Sequence, residues 1–184
     1  MAILDVAKLG NPILRKHAKR VTLEESLSPA FQNFLDDMIH TMQELDGVGL
    51  AAPQVFASKQ AIVISADANP RYPDAPNLSL LVILNPTITF YSEETQEGWE
   101  GCLSLDNLRG KVTRSTQIHV NGFTRFMEPI SMDAEGFLSV VFQHEIDHLK
   151  GTLFVDRMKD FSTLCHLDEY DLYWSKREVG AQAE

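Results

Sequence analysis

The sequence predicts an α+β fold in which antiparallel strands pack around a central helix, with one helix before the strands and one after them. Three observations predict it: an early apolar stripe with helical spacing, a β-rich middle, and a later helical segment that carries two histidines. With 184 residues, the chain is expected to form one domain that spans 1–184, since domains commonly contain about 100–200 residues. Its 44% hydrophobic and 23% charged residues are typical of a globular protein.

The first helix is predicted to begin at Ser28-Pro29, because serine is a good N-cap and proline favours the first helical position. Apolar residues then recur three and four positions apart, which places them on one face, and the pattern ends at Asp46-Gly47. His40 lies beside this stripe, and we expect it at the surface or at the edge of the core. The stripe consists of Phe31, Phe34, Leu35, Met38, Ile39, Met42 and Leu45.

The middle of the chain is predicted to form strands because β-branched and aromatic residues dominate its apolar runs. A segment with three prolines, 69–77, interrupts these runs and is expected to be an exposed loop. Asn121-Gly122 is a typical turn pair and predicts a hairpin between 117–120 and 126–130. The predicted strands are 61–64, 80–84, 87–91 and 117–120.

Two further helices are predicted in the last third of the chain. One begins at Asp133 or Ala134 and runs to Leu149, where Lys150-Gly151 is a typical helix end. The other occupies 161–176. The order of helix, strands and helices indicates an α+β arrangement.

The charge and cysteine content limit the function classes. Sixteen basic and 26 acidic residues give a net charge of −10, which disfavours binding to phosphate backbones. Two cysteines are too few for a disulfide framework, and the N-terminus does not resemble a signal peptide. No apolar run is long enough to span a membrane. These observations predict a cytoplasmic protein with neither a nucleic-acid motif nor a membrane segment.

The segment His144-Glu145-Ile146-Asp147-His148 carries the chemistry that stands out most. Two histidines four positions apart lie on the same helix face and can occupy adjacent corners of a tetrahedral metal site. Glu145 can reach a water beside the metal and take its proton. Asp147 either supports such a site or faces solvent. An apolar wall beside the metal is expected from Phe137, Val140 and Val141.

Two histidines do not complete a metal site, so the third ligand decides the class of enzyme. Phe154 occupies the position where one protease group carries a third histidine, which excludes that group. Asp168 or Glu169, further downstream, would give a zinc endopeptidase. Cys102 is another candidate, although a lone cysteine is more often a small core residue. Cys165 has apolar neighbours on the predicted last helix and is interpreted as structural.

The run from Gly47 to Gln54 contains two glycines and two alanines. It predicts either a tight helix-to-strand turn or a place where the backbone approaches another group closely. Gln54 is a neutral donor that can polarise a carbonyl or hold an oxyanion.

Three segments in this order resemble the motifs of the peptide deformylases. They read Gly-Val-Gly-Leu-Ala-Ala-Pro-Gln at Gly47–Gln54, Glu-Gly-Cys-Leu-Ser at Glu100–Ser104, and Gln-His-Glu-Ile-Asp-His-Leu-Lys-Gly at Gln143–Gly151. The resemblance extends from about Leu9 to about Asp156. It implies a single catalytic domain that removes the N-formyl group from the N-terminal formylmethionine of new polypeptides and releases formate.

The resemblance also implies a metal site and its ligands. Cys102, His144 and His148 would bind one divalent metal, Fe(II) foremost, with Zn(II) or Ni(II) possible in purified protein. A thiolate beside two imidazoles is a plausible but oxygen-sensitive ferrous site.

The remaining roles follow from the same resemblance. Glu145 would take the proton of the attacking water and pass it to the leaving amine. The Gln54 side chain and the Leu103 backbone N–H would hold the developing oxyanion. Gly49 and Gly101 would allow the substrate backbone to approach as an added strand. The methionine side chain would enter an apolar pocket formed by Val48, Trp99, Phe137, Val140 and Val141.

The expected partners are N-formylmethionyl peptides and nascent chains, at the ribosome if the enzyme acts there, and the sequence indicates no oligomeric state. Leu105-Asp106 departs from the branched residue and proline that many members carry, so Asp106 would affect recognition beyond methionine. Two alternatives stay open: the zinc endopeptidase and a catalytically idle relative that binds peptides. The intact Gln54, Cys102 and Glu145 count against the idle relative.

Overall fold

The structure, a computed structural model, describes residues 2–65 and 79–175. The helices are α1 Leu23–Ser26, α2 Pro29–Glu44, α3 Gly136–Leu149, α4 Phe154–Arg157 and α5 Leu167–Tyr173. The strands are β1 Gly49–Ala51, β2 Ala61–Ile64, β3 Leu81–Tyr91, β4 Thr95–Cys102, β5 Leu105–Ser115, β6 Gln117–Phe123, β7 Pro129–Glu135 and β8 Cys165–His166. Short 3-10 turns occupy Pro12–Arg15, Ala52–Val55 and Phe161–Thr163.

The strands form two antiparallel sheets on either side of α3. One sheet has the order β1-β2-β3-β6-β7 and the other the order β4-β5-β8. Helix α3 contacts strands of both sheets, among them β1, β2 and β7 of the first and β5 of the second. The predicted α+β fold with a central helix is therefore confirmed. No helix among the described residues is long and apolar enough to cross a membrane.

Helix α3 is buried along most of its length, because sheets cover it on more than one side. Phe142, Ile146 and Leu149 pack into a core with the inner faces of β2, β3 and β6. Its buried polar residues, from Gln143 to His148, must then find partners inside the protein, since an unpaired buried polar group costs about 1–3 kcal/mol. The functional chemistry is concentrated on this part of the helix.

Helix α2 matches its prediction closely. The Ser28 side chain accepts a hydrogen bond from the backbone N–H of Phe31, and Pro29 is the first helical residue. The apolar stripe packs against β1 and β2, with Leu35, Met38 and Met42 fully covered, whereas Leu45, beyond the end of the helix, is 37% exposed. His40 lies at the surface of the helix, with its side chain 27% exposed.

The runs predicted as strands 80–84 and 87–91 form one strand, β3, with a bulge between them. The register shifts between Leu84 and Thr87, and Asn85 has a positive φ of 50°. The Asn85 side chain accepts from the backbone N–H of Val21 and donates to its carbonyl. These two hydrogen bonds stabilise the bulge. The break between the two predicted strands is therefore a kink within one strand and not a loop.

The predicted hairpin exists, but the turn at Asn121-Gly122 was wrong. Both residues lie within β6, where they pair with Ser131 and Ile130 of β7. An added Cβ on Gly122 would lie 2.7 Å from the Ile83 side chain, so this glycine permits close strand packing. The chain turns after Thr124, where Met127 takes a positive φ.

Two helix boundaries were also wrong. Asp133 and Ala134 belong to β7, and α3 begins only at Gly136, whose φ of 54° turns the strand directly into the helix. The predicted helix 161–176 shrinks to α5, because β8 pairs with the edge of β5 before it. Cys165 therefore lies on a short strand opposite Arg109. The predicted loop 69–77 and Lys176 lie outside the described residues.

Candidate metal centre and adjoining cavity

Three side chains with metal-binding atoms converge between α3 and the end of β4. The Nε2 atoms of His144 and His148 lie 3.2 Å apart, and the Cys102 Sγ lies 3.3 Å from Nε2 of His148. All three ligand atoms lie within 4.8 Å of one another. His148 is 1% exposed and His144 is 9% exposed. The fold thus brings a cysteine from a strand to the two histidines of the central helix.

The chemistry of these donors fits a divalent metal ion. Burial opposes protonation of His144, but hydrogen bonds with Cys102 and Glu100 raise its pKa well above the usual value. Burial and the charge of His144 lower the pKa of His148 well below the usual value. The Nε2 atoms of the two histidines face each other and cannot both carry a proton in this arrangement. A cation placed between them could be bound by both nitrogens and by the Cys102 sulfur. One thiolate with two imidazoles suits zinc or a first-row metal such as iron.

Glu100 holds the ring of His144 from the side opposite the other donors. The His144 Nδ1 donates to the Glu100 carboxylate at 2.8 Å, so Nε2 is the ring nitrogen that faces the site and would bind a metal there. Arg114 binds the same carboxylate through two bonds of 2.8 and 3.0 Å. Against the effect of burial, the bonds from His144 and Arg114 lower the pKa of Glu100 to about 2. Glu100 therefore stays charged and fixes the tautomer of His144.

Asp147 supports this arrangement indirectly and does not face solvent. Its carboxylate accepts from Arg114 at 2.6 Å and from Arg157 at 2.7 and 3.0 Å. The Arg157 side chain is 47% exposed. A series of ion pairs therefore leads from the surface to His144, through Arg157, Asp147, Arg114 and Glu100 in turn. Neither the role of Arg114 nor that of Glu100 was predicted from the sequence. The sequence offers one indication: Arg114 follows Val112 by two positions, so in a strand both side chains lie on the same, buried face.

Glu145 lies beside the three donors with an unusual environment for a carboxylate. It is 4% exposed, and its Oε2 atom has no hydrogen-bond partner among the described residues. Burial raises its pKa to about 7, although the charge of His144 opposes the shift. A carboxylate whose pKa is close to neutral suits a general base, and a nearby cation favours its charged form.

Gly49 provides the space that Glu145 occupies. An added Cβ on Gly49 would overlap the Glu145 carboxylate and lie 2.8 Å from its Cγ. At Gly101 an added Cβ would overlap the guanidinium of Arg109. Both predicted glycines are thus places of close approach, and the groups that approach them here belong to the protein itself.

We expect Gly49→Ala to lower turnover by about 100-fold without loss of the fold, because a displacement of roughly 1 Å at a catalytic group has such an effect. The methyl group would push Glu145 away from the three donors. Turnover measured with metal content and thermal unfolding checks this expectation. Gly98→Ala, at another glycine of the cavity lining where an added Cβ meets nothing within 4 Å, separates the displacement of Glu145 from the mere addition of a methyl group to the cavity. Equal activity of the two variants would contradict the assigned role of Gly49.

Gln54 is fixed beside the thiol by a second hydrogen bond. Its Oε1 accepts from the backbone N–H of Ala51 at 2.8 Å, so the amide group faces the site with its Nε2. Nε2 lies 3.4 Å from the Cys102 Sγ and 3.2 Å from the Ser104 hydroxyl. Gln54 is 1% exposed, and Ser104, whose role was not predicted from the sequence, is fully buried. The neutral N–H group of the Gln54 amide is therefore held next to the three candidate metal ligands.

A cavity of about 290 Å³ opens onto this site. It lies between the β4 edge and the segment from Asp46 to Gly49, with α3 as its apolar wall. His148 lies behind the other donors and is not among the residues that line the cavity. The predicted site residues that line it are Val48, Gly49, Gln54, Trp99, Gly101, Cys102, Leu103, Phe137, Val140, Val141, His144 and Glu145.

Two expectations about acidic residues are not supported. Asp168 and Glu169 are exposed on α5, and the group of donors that includes the two histidines contains Cys102 instead. The geometry therefore removes the basis for the zinc endopeptidase. Asp106 forms an ion pair with Lys8 at 2.7 Å and does not line the cavity.

Comparison with known proteins gives one consistent result. The sequence model of the family described as polypeptide deformylase matches residues 3–163. Peptide deformylase 2 of Nostoc sp. is 39% identical over 91% of this chain and 93% of its own length. Peptide deformylase of Leptospira biflexa is 39% identical over 93% of this chain and 96% of its own.

Solved structures agree with these relatives. A Met-Ala-Ser-bound class I type b peptide deformylase from Acinetobacter baumannii superimposes with a TM-score of 0.83 at 43% identity, covering 85% of this chain and 99% of the other. Peptide deformylase from Thermotoga maritima gives a TM-score of 0.77 at 34% identity, covering 87% of this chain and 100% of the other.

Proposed function

The chain belongs to the polypeptide deformylase family and removes the N-formyl group from nascent peptides as a metal-dependent hydrolase, and we propose that Cys102, His144 and His148 hold its metal. The observation that carries the proposal is the convergence of these three donors within 4.8 Å. A bound divalent ion would supply Lewis-acid chemistry, polarising the formyl oxygen and making water more acidic.

Glu145 acts as the general base in this proposal. Its unpartnered Oε2 is available to take the proton of a water that attacks the formyl carbon. The same carboxylic acid then gives the proton to the amine that leaves, so formate and a peptide with a free N-terminus are formed. Burial raises the pKa of Glu145 and so strengthens it as a proton acceptor, whereas a bound cation would shift the pKa back toward its usual value.

Gln54 and the backbone N–H of Leu103 hold the negative charge that develops on the formyl oxygen. Gln54 cannot turn away, because Ala51 fixes its other amide atom. Leu103 directly follows Cys102 and lines the cavity. Donors that are fixed before the reaction stabilise the developing charge without reorganisation.

We expect Gln54→Glu to lower kcat by about 10²–10³, which is the usual effect of losing one oxyanion donor. The substitution keeps the oxygen that accepts from Ala51, removes the N–H donor and places a carboxylate oxygen where the Nε2 stood, 3.4 Å from the Cys102 Sγ. Metal content should not change. Gln117→Glu, at an exposed position on β6, is the control for the added charge. If Gln54→Glu retains full kcat, the donor role is wrong.

The methionine side chain enters the apolar part of the cavity in this proposal. Val48 stands on one side, and Phe137, Val140 and Val141 of α3 stand on the other. The substrate backbone would then run along the β4 edge past Gly101, as an added strand. Nascent chains are the substrates, and we propose that the enzyme meets them in the cytoplasm near the ribosome.

We propose Fe(II) as the native metal, since a thiolate with two imidazoles accommodates ferrous iron and the family resemblance implies it. Protein purified without oxygen should contain about one iron per chain and release formate from formyl-Met-Ala-Ser. Air should reduce the activity as the site oxidises. Zinc in anaerobically purified protein, with an activity insensitive to air, would overturn the assignment of iron. The absence of formate from iron-loaded protein would overturn the catalytic scheme.

A further inference from the structure

An aromatic cluster joins the C-terminal helix to the wall of the cavity. Trp99 of β4 lines the cavity, and its ring contacts Tyr170 at 5.0 Å in an edge-to-face arrangement. Trp174 contacts the same ring at 5.4 Å with a tilt of 54°. The ammonium group of Lys111 lies 5.6 Å from the ring of Trp99. The position of this cavity wall therefore depends on residues far along the chain.

Strand β8 brings α5 to this place. Cys165 and His166 pair with Arg109 and Leu108 of β5, and α5 begins at the next residue. Trp174 directly follows α5, and its backbone N–H donates to the Tyr170 carbonyl at 2.9 Å, so the helical spacing of four continues and places both side chains on the same side. Trp99 pairs with Lys111 on the neighbouring strand. The end of α5 therefore packs against the face of the β4–β5 pair that carries Trp99.

The strand alternation places a substrate side chain against this cluster. Strand β4 is the edge of its sheet, so a peptide can add to it, and successive side chains of an added strand point to opposite faces. Glu100 is buried toward His144, so Trp99, its neighbour, lies on the opposite face and not in the methionine pocket, where the family resemblance placed it. If the methionine side chain enters the inner apolar pocket, the following side chain must point to the face of Trp99. This step rests on the proposed function.

We propose that Trp99, held in place by Tyr170 and Trp174, forms the subsite for the residue after formylmethionine and favours an aromatic side chain there. An aromatic ring gains an additional contact with Trp99, whereas alanine is too short to reach it. Tyr170 and Trp174 are positioning residues, since they act through Trp99. The C-terminal helix thereby takes part in substrate selection.

The test compares formyl-Met-Phe-Ser with formyl-Met-Ala-Ser on the full-length iron-loaded enzyme. The ratio of their kcat/KM values does not depend on the fraction of folded enzyme, so a destabilised variant still gives an answer. Wild-type enzyme should prefer the phenylalanine peptide by about 5-fold or more, a preference expressed in KM, as expected for one added aromatic contact. Trp174→Leu and Tyr170→Leu should each reduce this preference toward unity.

Tyr173→Leu is the matched control, because it removes an aromatic ring from the same helix at a position that is 59% exposed. It should keep the wild-type preference. A wild-type enzyme without preference, or a preference that Trp174→Leu and Tyr173→Leu change equally, would overturn the proposal.

The affinities of the products Met-Phe-Ser and Met-Ala-Ser, measured by calorimetry, test the subsite without turnover. A preference for the phenylalanine product that Trp174→Leu removes would support the subsite even if no formate were released. Loss of formate release with that preference intact would count against the proposed catalytic scheme alone. Equal affinities of both products for the wild-type enzyme would overturn the subsite.

Discussion

Replacing Cys102 with serine should remove the metal and nearly all activity. A serine hydroxyl is a poor ligand where the thiolate stood, and two imidazoles alone leave the site incomplete. Loss of a partner that only supports a ligand lowers metal affinity by about 10–100-fold, so loss of a ligand itself should exceed about 100-fold. Metal analysis after dialysis against a weak chelator, with formate release measured in parallel, checks this expectation.

Two further variants make the result specific. Cys165→Ser removes the other cysteine, which lies on β8 outside the donor group, and should keep both metal and activity. Glu169→Ala should do the same, because Glu169 is exposed on α5. If Cys102→Ser keeps its metal while Glu169→Ala loses it, the ligand assignment is wrong.

Replacing Glu145 with glutamine should keep the metal and abolish most turnover. General acid–base catalysis contributes about 10²–10⁴ in rate, and glutamine has the size of glutamate but cannot accept the proton. The expected result is a large fall in kcat with an unchanged metal content. The readout is kcat across pH, together with metal content.

The same variant should be as stable as the wild type, or more stable, when the metal has been removed. The pKa of Glu145 is raised from 4.5 to about 7, so the unfolded state loses this proton first and the resulting penalty grows between pH 4.5 and about 7 and is constant above it. Glutamine abolishes that contribution. Unfolding of the metal-free proteins at pH 5 and pH 8 measures it, with Glu93→Gln, an exposed residue between β3 and β4, as control. Metal loss in Glu145→Gln would mean that Glu145 is a ligand and not the base.

The helix α2 shows where sequence pattern suffices. Its serine cap, its proline and its stripe of apolar residues are local signals, and the structure reproduces them nearly residue by residue. The turn at Asn121-Gly122 shows where local signals mislead. The same two residues suit a tight turn, but pairing with β7 and close packing against Ile83 keep them in a strand.

The residues of the site likewise fall into those that local sequence indicates and those that it does not. His144, Glu145 and His148 were recognisable because their spacing on one helix is a local property. Cys102 and Gln54 could be assigned only through the resemblance to a family, since nothing in their local sequence relates them to α3. Arg114 and Ser104 were missed, because their roles exist only after β5 and the β4–β5 turn are packed against the other elements.

The sequence by itself therefore determined the fold class, the central helix with its histidines and glutamate, and the segments that resemble the deformylases. These features depend on periodicity, caps and spacing, which neighbouring residues set. The tertiary structure excluded Glu169 as a partner of the histidines, and it alone decided that Glu100 and Arg114 orient His144 and that α5 reaches Trp99. Such contacts join residues far apart in the chain, so only the packing of the two sheets around α3 brings them together.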